Sequence, residues 1–366
     1  MSISVAQMNL SGAWGGMEMS TLKIAQHFQR RDFKSFVITS VASPLAKEAA
    51  KAGLHVIEIA GEGHFAPKAS WRLRQQLRAQ GISVVMVHQL RNLWILRPAL
   101  WGMPDVRVIG FARMFLKDIK KTDFLHRHLY LRIEKMVTLS QVQCQAIEPC
   151  LPLPHDRYVV IPNGVDTERF HPRHRNEEMR LSEFGATGRE AVIGVIGRLD
   201  PQKGQMEFIN AAALVLKKYP RTRFVVVGEE TVGEPGYAER LRQKARDLGI
   251  AERVLFLGHR TDTPKVMASL DVFVMPSYEE AFGNVVLEAM ASGVPVIATK
   301  AGGPLDIVRD DWGQLVAPRE FKPLAEAIMR YLDDESWAKE QGENGRAEAE
   351  RRYPLPIVMG QIESLI

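Results

Sequence analysis

The chain has 366 residues, of which 46% are hydrophobic, 25% charged and 8% aromatic, with a formal net charge of +5. This composition excludes a disordered or fibrous protein, and the length exceeds what one hydrophobic core usually holds, so we expect two domains. No apolar run is long enough for a transmembrane helix, no signal peptide is visible, and two cysteines without a histidine cluster argue against zinc or disulfides, so we expect a protein of the reducing cytoplasm.

Strand-like apolar runs alternate with helical stretches along the whole chain. This alternation indicates βαβ units and therefore parallel sheets with helices on both faces. A turn-rich stretch at 163–172 divides the strands into two sets, so we predict domains at 1–168 and 169–350 and a terminal helix within 351–366. The predicted strands are Ile3–Ala6, Ser35–Ser40, His55–Ile59, Val84–His88, Val106–Phe111, Met136–Ser140 and Val159–Pro162, then Val192–Ile196, Arg223–Gly228, Val254–Gly258, Val272–Pro276, Val294–Thr299 and Gln314–Val316.

The first motif is the glycine pair Gly15-Gly16, which directly precedes the predicted helix Met17–Gln29. Backbone amides at a helix N-terminus bind anions. The same pair also occurs as plain turn chemistry, and it does not match either of the common glycine-rich nucleotide patterns. Alone it is a weak indication of a phosphate site.

Basic residues are concentrated in the first half of the chain. Residues 1–168 hold 21 Lys and Arg against 13 Asp and Glu, a net charge of +8, whereas 169–366 have a net charge of −3. Between 113 and 135 the basic residues alternate with large apolar ones. A solvated helix face is one interpretation, and contact with an anionic membrane surface or a phosphorylated acceptor is the other. We expect no nucleic-acid partner, because no recognition motif accompanies the charge. The basic residues are Arg113, Lys117, Lys120, Lys121, Arg127, Arg132 and Lys135.

Two cations follow the first strand of the second domain. Arg198 and Lys203 lie in a turn directly after Val192–Ile196, and two cations at a strand's carboxyl end suit a diphosphate. A surface turn with two solvated basic residues is the alternative.

Two carboxylates lie in a later, mostly apolar stretch. Glu280 is on the loop after the strand Val272–Pro276, and Glu288 is in the predicted helix Val285–Ala291. Ligands of open parallel sheets bind beyond the carboxyl ends of the strands, and a glutamate is seldom buried without a partner. The alternative is that Glu288 merely favours the helix dipole and Glu280 lies in solvent. The loop residues Phe282, Gly283 and Asn284 add another amide-rich helix start.

Together these motifs resemble the large retaining GT-B glycosyltransferases of the family 4 type, also called group 1. The resemblance covers nearly the whole chain, and two glutamates separated by seven residues are its most specific part. It implies an α/β fold of GT-B architecture, in which two Rossmann-like domains face a cleft. Residues 1–168 would be the acceptor side, 169–350 would bind the sugar nucleotide, and a C-terminal helix in 351–366 would cross back to the first domain. The resemblance is carried by Gly15-Gly16 with Glu18, Asn163–Asp166, Arg198 with Lys203, and Glu280 with the segment Glu288–Pro295.

The resemblance also implies roles for the site residues. Glu288 would hold the ribose hydroxyls, Glu280 would contact the donor sugar, and Arg198 and Lys203 would neutralise the diphosphate. The family's chemistry is retaining, with same-face attack and the departing phosphate taking the acceptor proton. We expect no cofactor beyond the nucleotide-diphosphate sugar as substrate, and no metal, because there is no obvious Asp-x-Asp loop. The loops that would complete the nucleotide-sugar site contain Gly15, Gly16, Phe282, Gly283 and Asn284.

The acceptor side departs from the family pattern. Many relatives have a histidine after the strand Val106–Phe111, where this chain has Ala112 and Arg113. His88 and Arg113 are therefore the acceptor-side candidates. An equally good interpretation of His88 is that it is an ordinary histidine at the end of a strand. Some lipopolysaccharide-core glucosyltransferases share this departure, so we expect transfer to lipopolysaccharide core or a similar envelope glycan or glycolipid. The expected location is cytoplasmic, peripheral on the inner face of the membrane, with surface contacts through Lys117, Lys120, Lys121 and Arg127.

Two other functions remain open at this point. One is a non-catalytic module that binds a sugar nucleotide or a glycan, and the other is a sugar-nucleotide epimerase on the same fold. Arg198, Lys203, Glu280 and Glu288 argue against the module, because a protein that only binds does not need cations at a leaving group. A nicotinamide dehydrogenase is disfavoured by the missing GxGxxG pattern.

Overall fold

A computed structural model describes residues 3–60, 66–115, 120–230 and 233–366 of the chain. The chain forms two compact units, Met1–Asn163 together with Val358–Ile366, and Gly164–Ile357. Each unit is built on one parallel sheet.

The sheet of the first unit has seven parallel strands, β1 Ser4–Asn9, β2 Lys34–Ser40, β3 His55–Ile59, β4 Val84–Val87, β5 Arg107–Phe111, β6 Ile133–Thr138 and β7 Tyr158–Val160. Their order in the sheet is β3-β2-β1-β4-β5-β6-β7. The direction of winding therefore reverses between β1 and β4. The loops that leave these two strands diverge there and open a crevice, which is where parallel sheets bind ligands.

The sheet of the second unit has six parallel strands, β8 Val192–Ile196, β9 Arg223–Val227, β10 Val254–Gly258, β11 Val272–Met275, β12 Val296–Thr299 and β13 Gly313–Val316. Their order is β10-β9-β8-β11-β12-β13, so the winding reverses between β8 and β11. The segments after β8 and β11 hold Arg198, Lys203 and Glu280, and Glu288 lies in the helix that follows the second of these segments.

Helices connect the strands in both units. Those that precede residue 163 are α1 Gly16–Arg30, α2 Pro44–Lys51, α3 Pro67–Ala79, α4 Leu93–Ala99, α5 Phe124–Tyr130 and α6 Gln141–Ile147. Those that follow are α7 Glu177–Ser182, α8 Gln205–Lys218, α9 Tyr237–Asp247, α10 Thr263–Ala268, α11 Asn284–Ala291, α12 Pro304–Ile307, α13 Phe321–Asp333, α14 Glu335–Arg352 and α15 Leu355–Glu363.

Central strands are apolar along their whole length. All four residues of β4, Val-Val-Met-Val, are buried, and so are all four of β11, Val-Phe-Val-Met. Helices on both faces of a parallel sheet leave no polar face, which explains these continuous apolar runs. Against this background, a buried polar side chain such as Gln7 on β1 is an exception that needs hydrogen-bond partners.

The last helix is shared between the two units. Residues from Val358 onward belong to the first unit, although the helix begins at Leu355 in the second. Glu363 accepts hydrogen bonds from His27 Nε2 at 2.9 Å and from Arg31, and Arg107 Nη2 donates to the Leu365 carbonyl at 2.8 Å. These contacts confirm the predicted return of the C-terminal helix to the first domain.

The strands agree with the sequence analysis in number and order, and differ at their ends. β1 continues to Asn9, beyond the predicted end at Ala6, and β6 begins at Ile133 instead of Met136. Buried polar residues such as Gln7 and Asn9 hid the end of β1, because a polar residue in an apolar run reads as a loop. In the described part of the chain, no helix is both long and apolar enough to cross a membrane.

Candidate active site

Lys203 and Glu280 meet where the winding of the second sheet reverses. Lys203 follows β8 and Glu280 follows β11, and Lys203 Nζ donates to Glu280 Oε2 at 2.6 Å. The two side chains are 26% and 22% exposed, so a ligand can reach both. Because a partly buried ion pair is screened less than an exposed one, each charge holds the other in place.

Gly204 allows the turn that presents Lys203. Its φ is 69°, and a Cβ at this position would lie 2.0 Å from the carbonyl oxygen of Pro276. Only glycine fits such an approach in the left-handed region. The turn after β8 therefore packs directly on the end of β11, which brings the two charged residues together.

Tyr278 ties the same two loops together. Its backbone N–H donates to the Gln202 carbonyl at 2.8 Å, and its hydroxyl donates to Glu207 Oε1 on α8 at 2.6 Å. Burial, and then the hydrogen bond to Glu207, raise the pKa of Tyr278, so its hydroxyl is protonated and can donate. Arg319 lies over the ring, with its guanidinium carbon 4.7 Å from the ring centroid. This contact between the two loops was not predicted from the sequence. The only sequence feature that could have indicated it is an aromatic residue directly after the strand that ends at the site.

Arg198 lies in the same turn as Lys203 but stays in solvent. It is exposed, and its guanidinium makes no hydrogen bond or ion pair with the described residues. Its carbonyl accepts a 2.7 Å hydrogen bond from the buried Gln205, which fixes the backbone here. An unpaired, accessible guanidinium can take an oxyanion without first breaking an ion pair.

The loop before α11 turns sharply at Gly283. This residue has a φ of 101° and precedes Asn284, the first residue of the helix. Phe282 is buried and packs edge-on against Tyr353 at 6.4 Å. Glu288 is half-buried one turn into α11, and the amides of the first turn have no partners within the helix itself. Phe282 anchors the loop, Gly283 makes the sharp turn, and the half-buried Asn284 begins the helix.

In the first unit, Gly15 and Gly16 begin α1 after β1, beside the reversal between β1 and β4. Glu18, in the first turn, is buried, and its Oε1 has no hydrogen-bond partner among the described residues. A carboxylate in the first turn interacts favourably with the positive end of the helix dipole.

His88 and Arg113 lie together, after the neighbouring strands β4 and β5. Arg113 Nη2 donates to His88 Nδ1 at 3.3 Å, and Nη1 donates to Asn163 Oδ1 at 2.9 Å. Since Arg113 can only donate, His88 Nδ1 accepts, and His88 Nε2–H donates to Gln7 Oε1 at 2.8 Å. Burial, and then the charge of Arg113, hold the pKa of His88 well below its usual range, so the imidazole is neutral. Gln7 was missed by the sequence analysis.

The basic stretch between 113 and 135 divides into internal and exposed residues. Arg132 donates to three carbonyls, those of Met103, Pro104 and Val106, and Lys135 donates to the Asp156 carbonyl at 2.9 Å. Arg113, too, is directed at side chains of its own unit, so these three residues have hydrogen-bond partners within the first unit. Lys117 lies outside the described residues.

The exposed remainder is small and amphipathic. Lys120 and Arg127 are exposed and Lys121 is half-buried. Phe124 and Leu125, at the start of α5, are 86% and 49% exposed. We call these five residues the α5 surface. Because large apolar side chains seldom stand in solvent beside several cations, this surface retains the composition of a membrane-contact site.

Two protein families match the chain. Residues 14–169 match the family described as Glycosyltransferase Family 4, and residues 178–348 match the family described as Glycosyl transferases group 1. The chain is 31% identical over 273 residues to the lipopolysaccharide core biosynthesis mannosyltransferase LpsB of Rhizobium meliloti (strain 1021). The aligned region covers 72% of this chain and 76% of the relative. It is 28% identical over 366 residues to the D-inositol 3-phosphate glycosyltransferase of Corynebacterium jeikeium (strain K411), which covers 91% and 87%.

Among solved structures, the chain is similar to Anabaena Alr3699/HepE in complex with UDP. The TM-score is 0.88, the sequence identity is 24%, and 99% of each chain is covered. At this identity the likeness shows that the two chains share a fold.

Proposed function

We propose that this chain, which belongs to the group 1, family 4 glycosyltransferases, transfers a sugar to a cell-envelope glycan, as in lipopolysaccharide core assembly. Members of this family are retaining, metal-independent enzymes of the GT-B fold that use nucleotide sugars. The observation that carries the proposal is the Lys203–Glu280 pair beside the accessible Arg198. The 31% identity to a lipopolysaccharide core mannosyltransferase supports this acceptor class. The similarity to a D-inositol 3-phosphate glycosyltransferase supports inositol phosphate as the alternative acceptor.

In this proposal the second unit binds the donor. Arg198 and Lys203 meet the negative charge that grows on the diphosphate as the sugar–phosphate bond breaks. Fixed cations at a leaving group lower the barrier, because they need not reorganise when the charge appears. Glu280 contacts hydroxyls of the donor sugar, and Glu288 accepts from the ribose. The backbone at Gly283 and Asn284 supplies amide donors in this unit, and the start of α1 at Gly15 and Gly16 is a separate amide-rich anion site of the first unit.

The acceptor approaches through the first unit, whose exposed basic residues favour an anionic surface. The α5 surface brings the enzyme to the membrane face where lipid-linked acceptors are built. Each basic residue near an anionic bilayer contributes about 1 kcal/mol, and the exposed Phe124 adds apolar contact.

The test is a donor screen followed by a single substitution. Calorimetric titration with UDP-, GDP- and ADP-sugars should identify one preferred nucleotide. With that nucleotide diphosphate, Glu288→Gln should weaken binding by about 1.5 to 3 kcal/mol, the range for a hydrogen bond to a charged group. Glu326→Gln, an exposed glutamate on α13, is the matched control.

The products then decide between the functions. Transfer of the sugar to a lipopolysaccharide-core acceptor, with the anomeric configuration retained, is expected. Nucleotide-sugar binding without transfer to any envelope acceptor would favour a binding module, and conversion of the free sugar nucleotide would favour an epimerase. Transfer to inositol 3-phosphate in place of core would replace the proposed acceptor.

A further inference from the structure

Arg113 is a cation whose partners among the described residues are neutral groups. Its hydrogen bonds go to the Asn163 amide oxygen and to neutral His88, and its guanidinium carbon lies 4.7 Å from the Phe111 ring centroid. Its Nε is buried without a hydrogen-bond partner, and no carboxylate of the described residues lies within 4.0 Å of it. The guanidinium is therefore held by hydrogen bonds, and no carboxylate in the described part of the chain neutralises it.

Two other arginines with little or partial exposure, Arg180 and Arg132, have partners of a different kind. Arg180 is 4% exposed, and it is paired with Asp271 at 3.0 Å and donates to the Ser269 carbonyl. Arg132 donates to three backbone carbonyls. A charge withdrawn from water without a counter-ion is destabilising. Arg113 therefore does something other than hold the fold together.

The neutral partners fix the direction of the guanidinium. His88 is anchored by Gln7, stacks on Phe111 at 4.7 Å, and accepts from Nη2. Asn163 accepts from Nη1. Burial lowers the pKa of Arg113 to about 9, so it remains a cation at neutral pH. Because His88 stays uncharged, the net charge of the cluster is one positive unit.

The cluster stands where a ligand of the first sheet would bind. His88 follows β4, at the reversal of winding, and Arg113 follows the adjacent β5. Arg113 is only half-buried, so part of it can still be reached. A guanidinium presents a planar fork of donors that matches the oxygens of a phosphate or a carboxylate.

We propose that Arg113, positioned by His88 and Asn163, recognises an anionic group on the acceptor, a phosphate or a carboxylate attached to the sugar that is glycosylated. This rests on the proposed function and specifies its acceptor: a neutral sugar is a poor acceptor and an acidic one is a good one. The incoming oxyanion is the counter-ion that the described residues do not supply. Arg113 is thus a specificity residue, and His88 and Asn163 are positioning residues.

The first test is the stability of the ligand-free protein. Arg113→Gln keeps a donor but removes the buried charge, so its melting temperature should equal or exceed that of the wild type. Arg132→Gln, which loses bonds to backbone carbonyls, should melt about 3 °C lower or more. An Arg113→Gln variant destabilised as much as Arg132→Gln would make Arg113 a structural residue and overturn the proposal.

The second test compares three small probes, methyl glucoside, its 6-phosphate and methyl glucuronoside, by ligand-observed NMR titration. The wild type should bind one anionic probe at least about tenfold more tightly than the neutral one, and the tighter of the two identifies phosphate or carboxylate. Arg113→Gln should bind all three alike, and Arg113→Lys should keep part of the preference. Equal binding by the wild type, or a preference that survives Arg113→Gln, would refute the anion site.

Donor binding is measured separately in the same variants. If no nucleotide sugar binds the wild type but the anion preference is present, the glycosyltransferase proposal fails and the anion site stands. If donor binding and transfer are present without the preference, only the anion site fails.

Discussion

Lys203 and Glu280 are 77 residues apart in the chain, and their charged atoms are 2.6 Å apart in the structure. One follows the strand before the reversal of winding and the other follows the strand after it. The cation proposed to meet the leaving diphosphate is thus held by the carboxylate proposed to hold the sugar. We infer that the two residues act as a unit, so that displacing either one misplaces the other.

Substitutions at this pair should lower turnover without additivity. Lys203→Ala should reduce kcat by about two orders of magnitude, because it removes a fixed charge from the leaving group. The double variant with Glu280→Gln should be little worse than Lys203→Ala alone, since residues that act together are not additive. Steady-state kinetics of the four enzymes measure this. Lys218→Ala, which removes a pair with Asp333 at 2.7 Å on the surface, is the control. Strictly multiplicative losses would show that the two residues act independently.

Tyr278→Phe should reduce kcat more than it weakens donor binding. The substitution removes the 2.6 Å hydrogen bond to Glu207 and loosens the loop that carries Glu280, at a cost of about 1.5 to 3 kcal/mol for a bond to a charged group. We expect a fall in kcat of about tenfold or more with an almost unchanged donor affinity, measured by kinetics and calorimetry. Tyr219→Phe, which removes a surface hydrogen bond to Asp333, should have no effect on kcat. Equal losses in the two variants would remove any positioning role.

The sequence predicts the strands, the two-sheet fold, the family and the residues after each critical strand. These depend on local apolar runs and on residues close together in the chain. The Lys203–Glu280 pair and the Gln7–His88–Arg113 chain depend on strands that are distant in sequence, so no local pattern could reveal them. The partners of the basic stretch could not be predicted for the same reason, because only the fold brings the carbonyls of Met103, Pro104 and Val106 to Arg132.

The neutral state of His88 makes stability depend on pH. Its folded pKa is lowered, first by burial and then by Arg113, while in the unfolded chain it returns to about 6.5. Below that pH the unfolded chain binds a proton that the folded protein excludes, so stability falls as the pH decreases. The facing groups Gln7, Phe111 and Arg113 include no carboxylate that could offset this.

Urea unfolding between pH 7.5 and 5.5 measures this effect. The wild type should lose up to about 1.4 kcal/mol per pH unit below pH 6.5 in excess of His88→Gln. The two curves converge as the pH falls, because the variant lacks the titrating group. Parallel curves would mean that His88 is protonated in the folded protein.

The α5 surface should bind anionic vesicles. Liposome co-sedimentation is expected to show binding to anionic but not to neutral vesicles, and binding should fall as salt rises from about 0.05 to 0.5 M. Changing Lys120 and Lys121 to Glu should abolish it, and Phe124→Ser should weaken it. The control changes the exposed Lys47 and Lys51 of α2 to Glu, which alters net charge equally. Binding that is indifferent to lipid charge, or lost equally in the control, would leave α5 as an ordinary solvated helix.

Residues from Val358 onward complete the first unit, although almost the entire second unit precedes them in the chain. During synthesis on a ribosome, the first sheet emerges long before the segment whose Glu363 binds His27 and Arg31. The side of α1 that bears His27 therefore remains exposed in the nascent first unit while about two hundred further residues are translated. The first unit therefore completes its fold only after residues 358–366 have been made, so a fragment that stops at Asn163 should fold less well than a fragment of the second unit.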